Sequence, residues 1–217
     1  MTDPRIVAAF DFDGTITSRD TMAGFLRTVV GTRSLLGAAG LDLPRLLLSA
    51  SGHGSRDEGK GRLLMRLFAG RDPAEVGALG QEYGARLASH QIRSEMRARL
   101  GWHRARGHEI VIVSASLDTY LNETGRLLGI DAVLCTKLEV GDDGTFTGRM
   151  DGGNCRGAEK ARRLSEYLAD RGGGTVGWAY GDSSGDREML AMSEHPVWVS
   201  KRAGRFSLPP VDGDSSR

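Results

Sequence analysis

The sequence predicts a doubly wound α/β fold with a small helical cap inserted after the first strand. Three observations carry this. Short apolar runs at residues 5–10, 110–113, 175–180 and 197–199 read as buried strands of a parallel sheet. Helical patterns lie between the later ones, as in βα units. Three of the runs stop at Asp11, Ser114 and Asp182, at the strand ends where open α/β sheets bind ligands.

In chain order, the run 5–10 ends abruptly at Asp11. Residues 20–89 carry helical periodicity, with Met65, Leu67 and Phe68, and no clear strand. A polar, glycine-rich stretch at 52–61 reads as an interruption, and the apolar stretch 41–48 around Pro44 as cap core. After the strand 110–113, a helix is expected over 117–128, with Leu117, Tyr120, Leu121, Leu127 and Leu128 inward and Gly129 as its stop. Residues 137–149 read as a hairpin turning at Asp142-Asp143-Gly144. A helix over 158–169 presents Ala161, Leu164 and Leu168, and a short one covers 187–192. The expected division is an α/β core of 1–19 and 90–205, a cap of 20–89, and a loose tail of 206–217.

The bulk numbers are compatible with this plan. A chain of 217 residues has room for one large domain or a core with an insertion. With 29 basic against 28 acidic side chains and a net charge of +1, nothing electrostatic points to nucleic acid as a partner. Cys135 and Cys155 are expected reduced. No signal-peptide pattern opens the chain, and the apolar stretches are too short to span a bilayer. A soluble, cytoplasmic monomer or homodimer without stable membrane insertion is the expectation.

The chemistry gathers at the strand ends. Asp11 and Asp13, in Asp11-Phe12-Asp13-Gly14-Thr15, are two carboxylates that a turn at Gly14 can face into one pocket. One carboxylate can attack phosphorus; the other can protonate a leaving oxygen and activate water. Mg²⁺ favours such oxygen ligands. By itself the run also fits a solvated acidic loop. Ser114-Ala115-Ser116 offers a hydroxyl and backbone N–H groups for a phosphate oxygen, although a helix N-cap explains a serine here too, Ser116 above all. Lys160 can neutralise a phosphoryl group, with Arg156, Arg162 and Arg163 as competitors and a surface role as the plain alternative. Asp182 is placed to ligate metal with Asp186 beside it, or else to cap an ordinary strand-to-helix turn.

In this order, the Asp-x-Asp-Gly-Thr run, Ser114, Lys160 and Gly181-Asp182-x-x-x-Asp186 resemble the haloacid dehalogenase superfamily of phosphatases over nearly the whole chain. The helical cap resembles subfamily IB, the phosphoserine phosphatase-like group. The resemblance implies Asp11 as nucleophile and Asp13 as general acid/base, with Ser114, Ala115 and Lys160 on the phosphate. It implies Mg²⁺ held by Asp11, the Asp13 backbone carbonyl and Asp182, with Asp186 supporting. The chain departs from phosphoserine phosphatases in having Ser114-Ala115-Ser116 for Ser-Gly-Gly, and Gly181-Asp182-Ser183-Ser184-Gly185-Asp186 for Gly-Asp-Gly-x-Asn-Asp. Those differences bear on the substrate and leave the catalytic groups in place.

The expected activity is Mg²⁺-dependent hydrolysis of a small phosphorylated metabolite. A lipid phosphate is the alternative, and a phospho-accepting receiver-like domain the rival of a different class. A serine hydrolase lacks its Gly-x-Ser-x-Gly elbow. In the cap, Asp20 is either a substrate contact or the N-cap of the first cap helix. Arg62 is either a ligand for a substrate carboxylate or part of a solvated face with Lys60 and Arg66. The five histidines form no compact metal pair and read as surface or loop residues; Trp102 and Trp178 read as packing.

Overall fold

The computed structural model describes residues 5–31 and 53–199. A six-stranded sheet has the order β4-β3-β2-β1-β5-β6, formed by β1 (Ile6–Phe10), β2 (Glu109–Leu117), β3 (Ala132–Val140), β4 (Phe146–Asp151), β5 (Thr175–Gly181) and β6 (His195–Trp198). All neighbours are parallel except β3 and β4, which form the antiparallel hairpin at the edge. Among the described residues, seven α-helices accompany them: α1 (Met22–Val30), α2 (His53–Phe68), α3 (Pro73–His90), α4 (Ser94–Ala105), α5 (Asp118–Leu128), α6 (Ala158–Asp170) and α7 (Arg187–Ala191).

β1 lies at the centre because it is buried on both faces. Ala8 and Phe10 join one hydrophobic cluster, with Ile110, Ile112, Tyr120 and Tyr180. Val7 and Ala9 join the other, with Val111, Val113, Leu164 and Leu190. Period-two alternation therefore feeds two cores, and the strand reads as one continuous apolar run. β1 pairs with β2 on one side and β5 on the other, so the chain reverses its direction of winding at β1. The crevice at such a switch point, beyond the carboxyl strand ends, is where doubly wound sheets bind ligands.

The chain leaves the sheet after a tight turn at Phe12–Ile16, where Gly14 takes φ +87°. It returns at Ile92, which bridges Thr17. Arg93 secures the junction: its Nε donates to the Thr17 carbonyl and its guanidinium to the Gly14 carbonyl, each at 3.1 Å. Between these points run α1, α2 and α3. Their buried residues Phe25, Leu64, Phe68, Tyr83 and Leu87 continue the first hydrophobic cluster, so these three helices share a core with one face of the sheet.

Several expectations need correction. The stretch 52–61 is no interruption: α2 runs through it from His53. Glycines weaken a helix by about 1 kcal/mol each, but Leu64, Leu67 and Phe68 are buried, and that packing prevails. β2 continues past Ser114 to Leu117 through an irregular register, so α5 begins at Asp118, and Ser116 does not cap it. Leu127 is exposed, and Thr124 takes the inward place. The helix α4 has no counterpart among the expected elements, because its buried face is Met96, Arg99, Leu100 and His103, only half apolar. His103 is fully buried, bonding Tyr180 and His108 through its two ring nitrogens. The hairpin turn expected at Asp142-Asp143-Gly144 joins β3 to β4, and β3 begins earlier, at Ala132. Both cysteines are free and buried. The stretch 41–48 and the tail 206–217 lie outside the described residues.

Candidate active site

Two parallel strands, β1 and β5, bring the acidic residues together. Asp11 follows β1, and its backbone N–H donates to the Tyr180 carbonyl on β5 at 2.9 Å. Lys160 stands in the first turn of α6 and is 2% exposed. Its Nζ donates to Asp11 Oδ1 and Asp186 Oδ1, each at 2.6 Å. Asp186 accepts on its other oxygen from the Ser183 N–H at 2.9 Å, the Ser183 hydroxyl at 2.8 Å and the Asp182 N–H at 3.2 Å. This carboxylate folds back tightly on β5. A Cβ at Gly181 would lie 2.5 Å from Asp186 Cβ, so only glycine fits there. Arg162 and Arg163, the rivals of Lys160, are engaged by Glu159 away from the site; Arg156 reaches the cleft wall.

Asp11, Asp182 and Asp186 each offer a carboxylate oxygen within 4.8 Å of the others. An all-carboxylate set of this spacing suits a hard divalent cation such as Mg²⁺. Asp13 points its carboxylate elsewhere: Oδ1 accepts from the Thr21 N–H at 2.8 Å and the Thr21 hydroxyl at 2.7 Å, and Oδ2 from the Ser116 hydroxyl. Ser114 is buried, and its Oγ accepts from the Ser116 N–H at 3.1 Å. The Ser114 proton is therefore left for another acceptor.

Charge follows burial. Asp11 is pushed up to about 7, mainly by desolvation, with Lys160 opposing. Burial also raises Asp13, against the hydrogen bonds from Ser116 and Thr21. At Lys160 burial works against the ammonium, but Asp11 and Asp186 outweigh it and hold it above its usual value. At Asp186 burial is likewise outweighed, by Lys160 and Ser183, and the carboxyl lies below its usual range. Asp13, raised toward neutrality beside a buried carboxylate–lysine group, is a candidate proton donor.

These residues line one cleft of about 290 Å³, closed on the cap side by Asp20, Met22, Asp57 and Lys60, enough for a small ligand. Thr21 is the N-cap of α1; Asp20, one residue earlier, accepts from the Ala23 N–H at 3.2 Å and stands on the cleft wall. Arg62 is not among the lining residues; it lies 3.8 Å from Glu58. Two residues turn a helix by about 200°, so Lys60 faces the cleft and Arg62 faces away. Sequence reasoning passed over Asp57 and Asn154 in the cleft and Thr21 beside Asp13, and it read Ser116 as a helix N-cap. Only Ser116 left a signal, being two residues from Ser114 and so on the same face of a strand.

Residues 8–191 match the haloacid dehalogenase-like hydrolase family. The chain belongs to that family. This hydrolase is 34% identical over 189 residues to protein CicA of Caulobacter vibrioides, covering 87% of this chain and 83% of CicA. It is 28% identical over 213 residues to phosphoserine phosphatase SerB1 of Mycobacterium tuberculosis, covering 95% of this chain and 68% of that one. Its fold is shared by a crystal structure of a protein of unknown function from Bordetella pertussis, with a TM-score of 0.72 at 21% identity, covering 87% of this chain and 86% of that one.

Proposed function

We propose that this hydrolase is a Mg²⁺-dependent phosphomonoesterase that works through an aspartyl-phosphate on Asp11. The observation that carries the reading is Lys160, buried and bonded to both Asp11 and Asp186, with Asp182 completing a three-carboxylate group and Asp13 nearby on its own hydrogen bonds. In the first step an Asp11 oxygen attacks phosphorus in line and the ester P–O bond breaks. Asp13 gives its proton to the departing alcohol oxygen. Asp13, now ionised, takes a proton from water; the water oxygen attacks phosphorus, the bond to Asp11 breaks, and inorganic phosphate leaves. Ser114 Oγ, the Ala115 N–H and Lys160 hold the phosphoryl oxygens. Asp11, Asp182 and Asp186, with the Asp13 carbonyl that the family resemblance implies, would hold Mg²⁺. When bound, it neutralises charge on the carboxylates and the phosphoryl group.

The substrate is a small phosphorylated metabolite, for which the size of the cleft and the resemblance to SerB1 speak. Residues 20–89 act as the cap that selects it, and Asp20 is its candidate contact. A lipid-phosphate substrate would need an apolar contact surface, and the apolar stretch 41–48 lies outside the described residues; no described helix is long and apolar enough to cross a membrane. A cytoplasmic enzyme, monomeric or dimeric, is part of the same proposal. Asp11→Asn tests it: Mg²⁺-dependent release of p-nitrophenol from p-nitrophenyl phosphate should vanish while the circular dichroism spectrum stays unchanged. Turnover at the wild-type rate would refute the assignment.

A further inference from the structure

The cleft holds a second lysine that the reaction above leaves without a part. Lys60 stands on α2, in the cap, and crosses to the core. Its Nζ donates to the Ala115 carbonyl at 2.5 Å and to Asn154 Oδ1 at 2.5 Å, with Thr136 Oγ1 at 3.4 Å. An ammonium has three protons, and these three acceptors take them. Asn154 donates its Nδ2 to Asp57 Oδ1 at 2.6 Å, one turn earlier on α2. Lys60 and Asp57 thus hold the Asn154 amide by both ends, and Lys60 spends its remaining reach on Ala115.

The Ala115–Ser116 peptide is held on both sides. Its carbonyl accepts from Lys60, a charged and therefore strong bond. Its N–H donates to Ser114 Oγ. The residues on either side of that peptide are the ones the reaction uses: Ser114, whose hydroxyl proton is left for the phosphoryl group, and Ser116, whose hydroxyl bonds Asp13. We propose that Lys60 is a positioning residue, a clamp carried by the cap that fixes the Ala115–Ser116 peptide and through it aligns Ser114 and Asp13. The active geometry then depends on the cap being seated. The proposal rests on the phosphatase reading of the same site. Direct binding of substrate by Lys60 is the competing role, and the spent donors argue against it.

The test uses the full chain with Mg²⁺ and p-nitrophenyl phosphate, comparing wild type with Lys60→Met. Loss of a preorganised contact should lower kcat by about 10- to 100-fold, with KM changed by less than about threefold. Hydrogen exchange followed by mass spectrometry should show faster exchange at the Ser116 amide in the variant. Unchanged kcat overturns the proposal. A raised KM at constant kcat overturns it in favour of substrate contact. A lowered kcat with unchanged exchange at Ser116 overturns it in favour of direct electrostatic action. If Lys60→Met does not fold, Lys60→Ala, which also removes the donor, carries the same readouts. Failure of the phosphatase reading shows separately, as absent turnover in the wild type, while the exchange measurement needs no turnover and still decides the clamp.

Discussion

Replacing Lys160 with Met removes the cation on which the acidic group depends and keeps most of its stem volume. Its Nζ lies 2.6 Å from each of two carboxylates, and all three groups are buried. At that distance each pair attracts by about 6 kcal/mol with an effective dielectric near 20, and the cost of desolvating the ammonium offsets much of this. Breaking a buried pair from one side costs about 3–5 kcal/mol, because the remaining charge is left uncompensated. For a chain of this size that is a fall in Tm of about 10 °C. The measurement is thermal unfolding in EDTA at pH 7, followed by circular dichroism. In the presence of Mg²⁺, kcat on p-nitrophenyl phosphate should also drop by about 10²-fold or more. A variant melting within about 2 °C of wild type, a shift worth roughly 1 kcal/mol or less, would show that Lys160 does not hold this group together.

Asp182→Asn should raise the Mg²⁺ concentration for half-maximal activity by about 10- to 100-fold, as read from a Mg²⁺ titration; an unchanged midpoint would remove Asp182 from the metal group. Ser116→Ala should lower kcat by about tenfold while leaving Mg²⁺ activation alone, since it removes only an orienting bond to Asp13. The pH profile carries a further sign. Burial pushes Lys60 down to about 8, against the raising charge of Asp57. The ammonium, and with it the full clamp on Ala115, is present below about pH 8 and lost above it. Wild-type kcat should therefore decline above about pH 8, and Lys60→Met should lack that decline; identical basic limbs would contradict it.

The parallel sheet was legible because its central strands are apolar on both faces and stop at polar residues. Asp11, Ser114 and Asp182, where the apolar runs give out, line one cleft for the same reason: a buried strand becomes a ligand surface where its apolar run stops. Elements held by polar burial were not legible. α4 packs Arg99 and His103 inward, and no hydrophobic period announces it. α2 opens with polar residues and glycines and owes its helicity to Leu64, Leu67 and Phe68. Within the site, residue types forecast the carboxylates and Lys160, whose partners are charged. They did not forecast Thr21, which bonds the Asp13 carboxylate, or Lys60 and Asn154, which tie α2 to distant segments through the Ala115 carbonyl and Asp57. Arg62 stands two residues from Lys60, and of the two only Lys60 lines the cleft; that is set by the phase of α2 against β4 and the core, which residue types do not reveal.

The claim that Asp11 carries the phosphoryl group meets its most direct test in Asp13→Asn. p-Nitrophenolate departs without a proton, so the first step needs no acid, whereas the second lacks its base. Rapid mixing with p-nitrophenyl phosphate and Mg²⁺ should give a burst of p-nitrophenol stoichiometric with enzyme, followed by slow turnover. Borohydride reduction of the trapped protein should then convert position 11 to homoserine, as read by peptide mass spectrometry. Reduction at another carboxylate, or full turnover with neither burst nor label, would contradict the account.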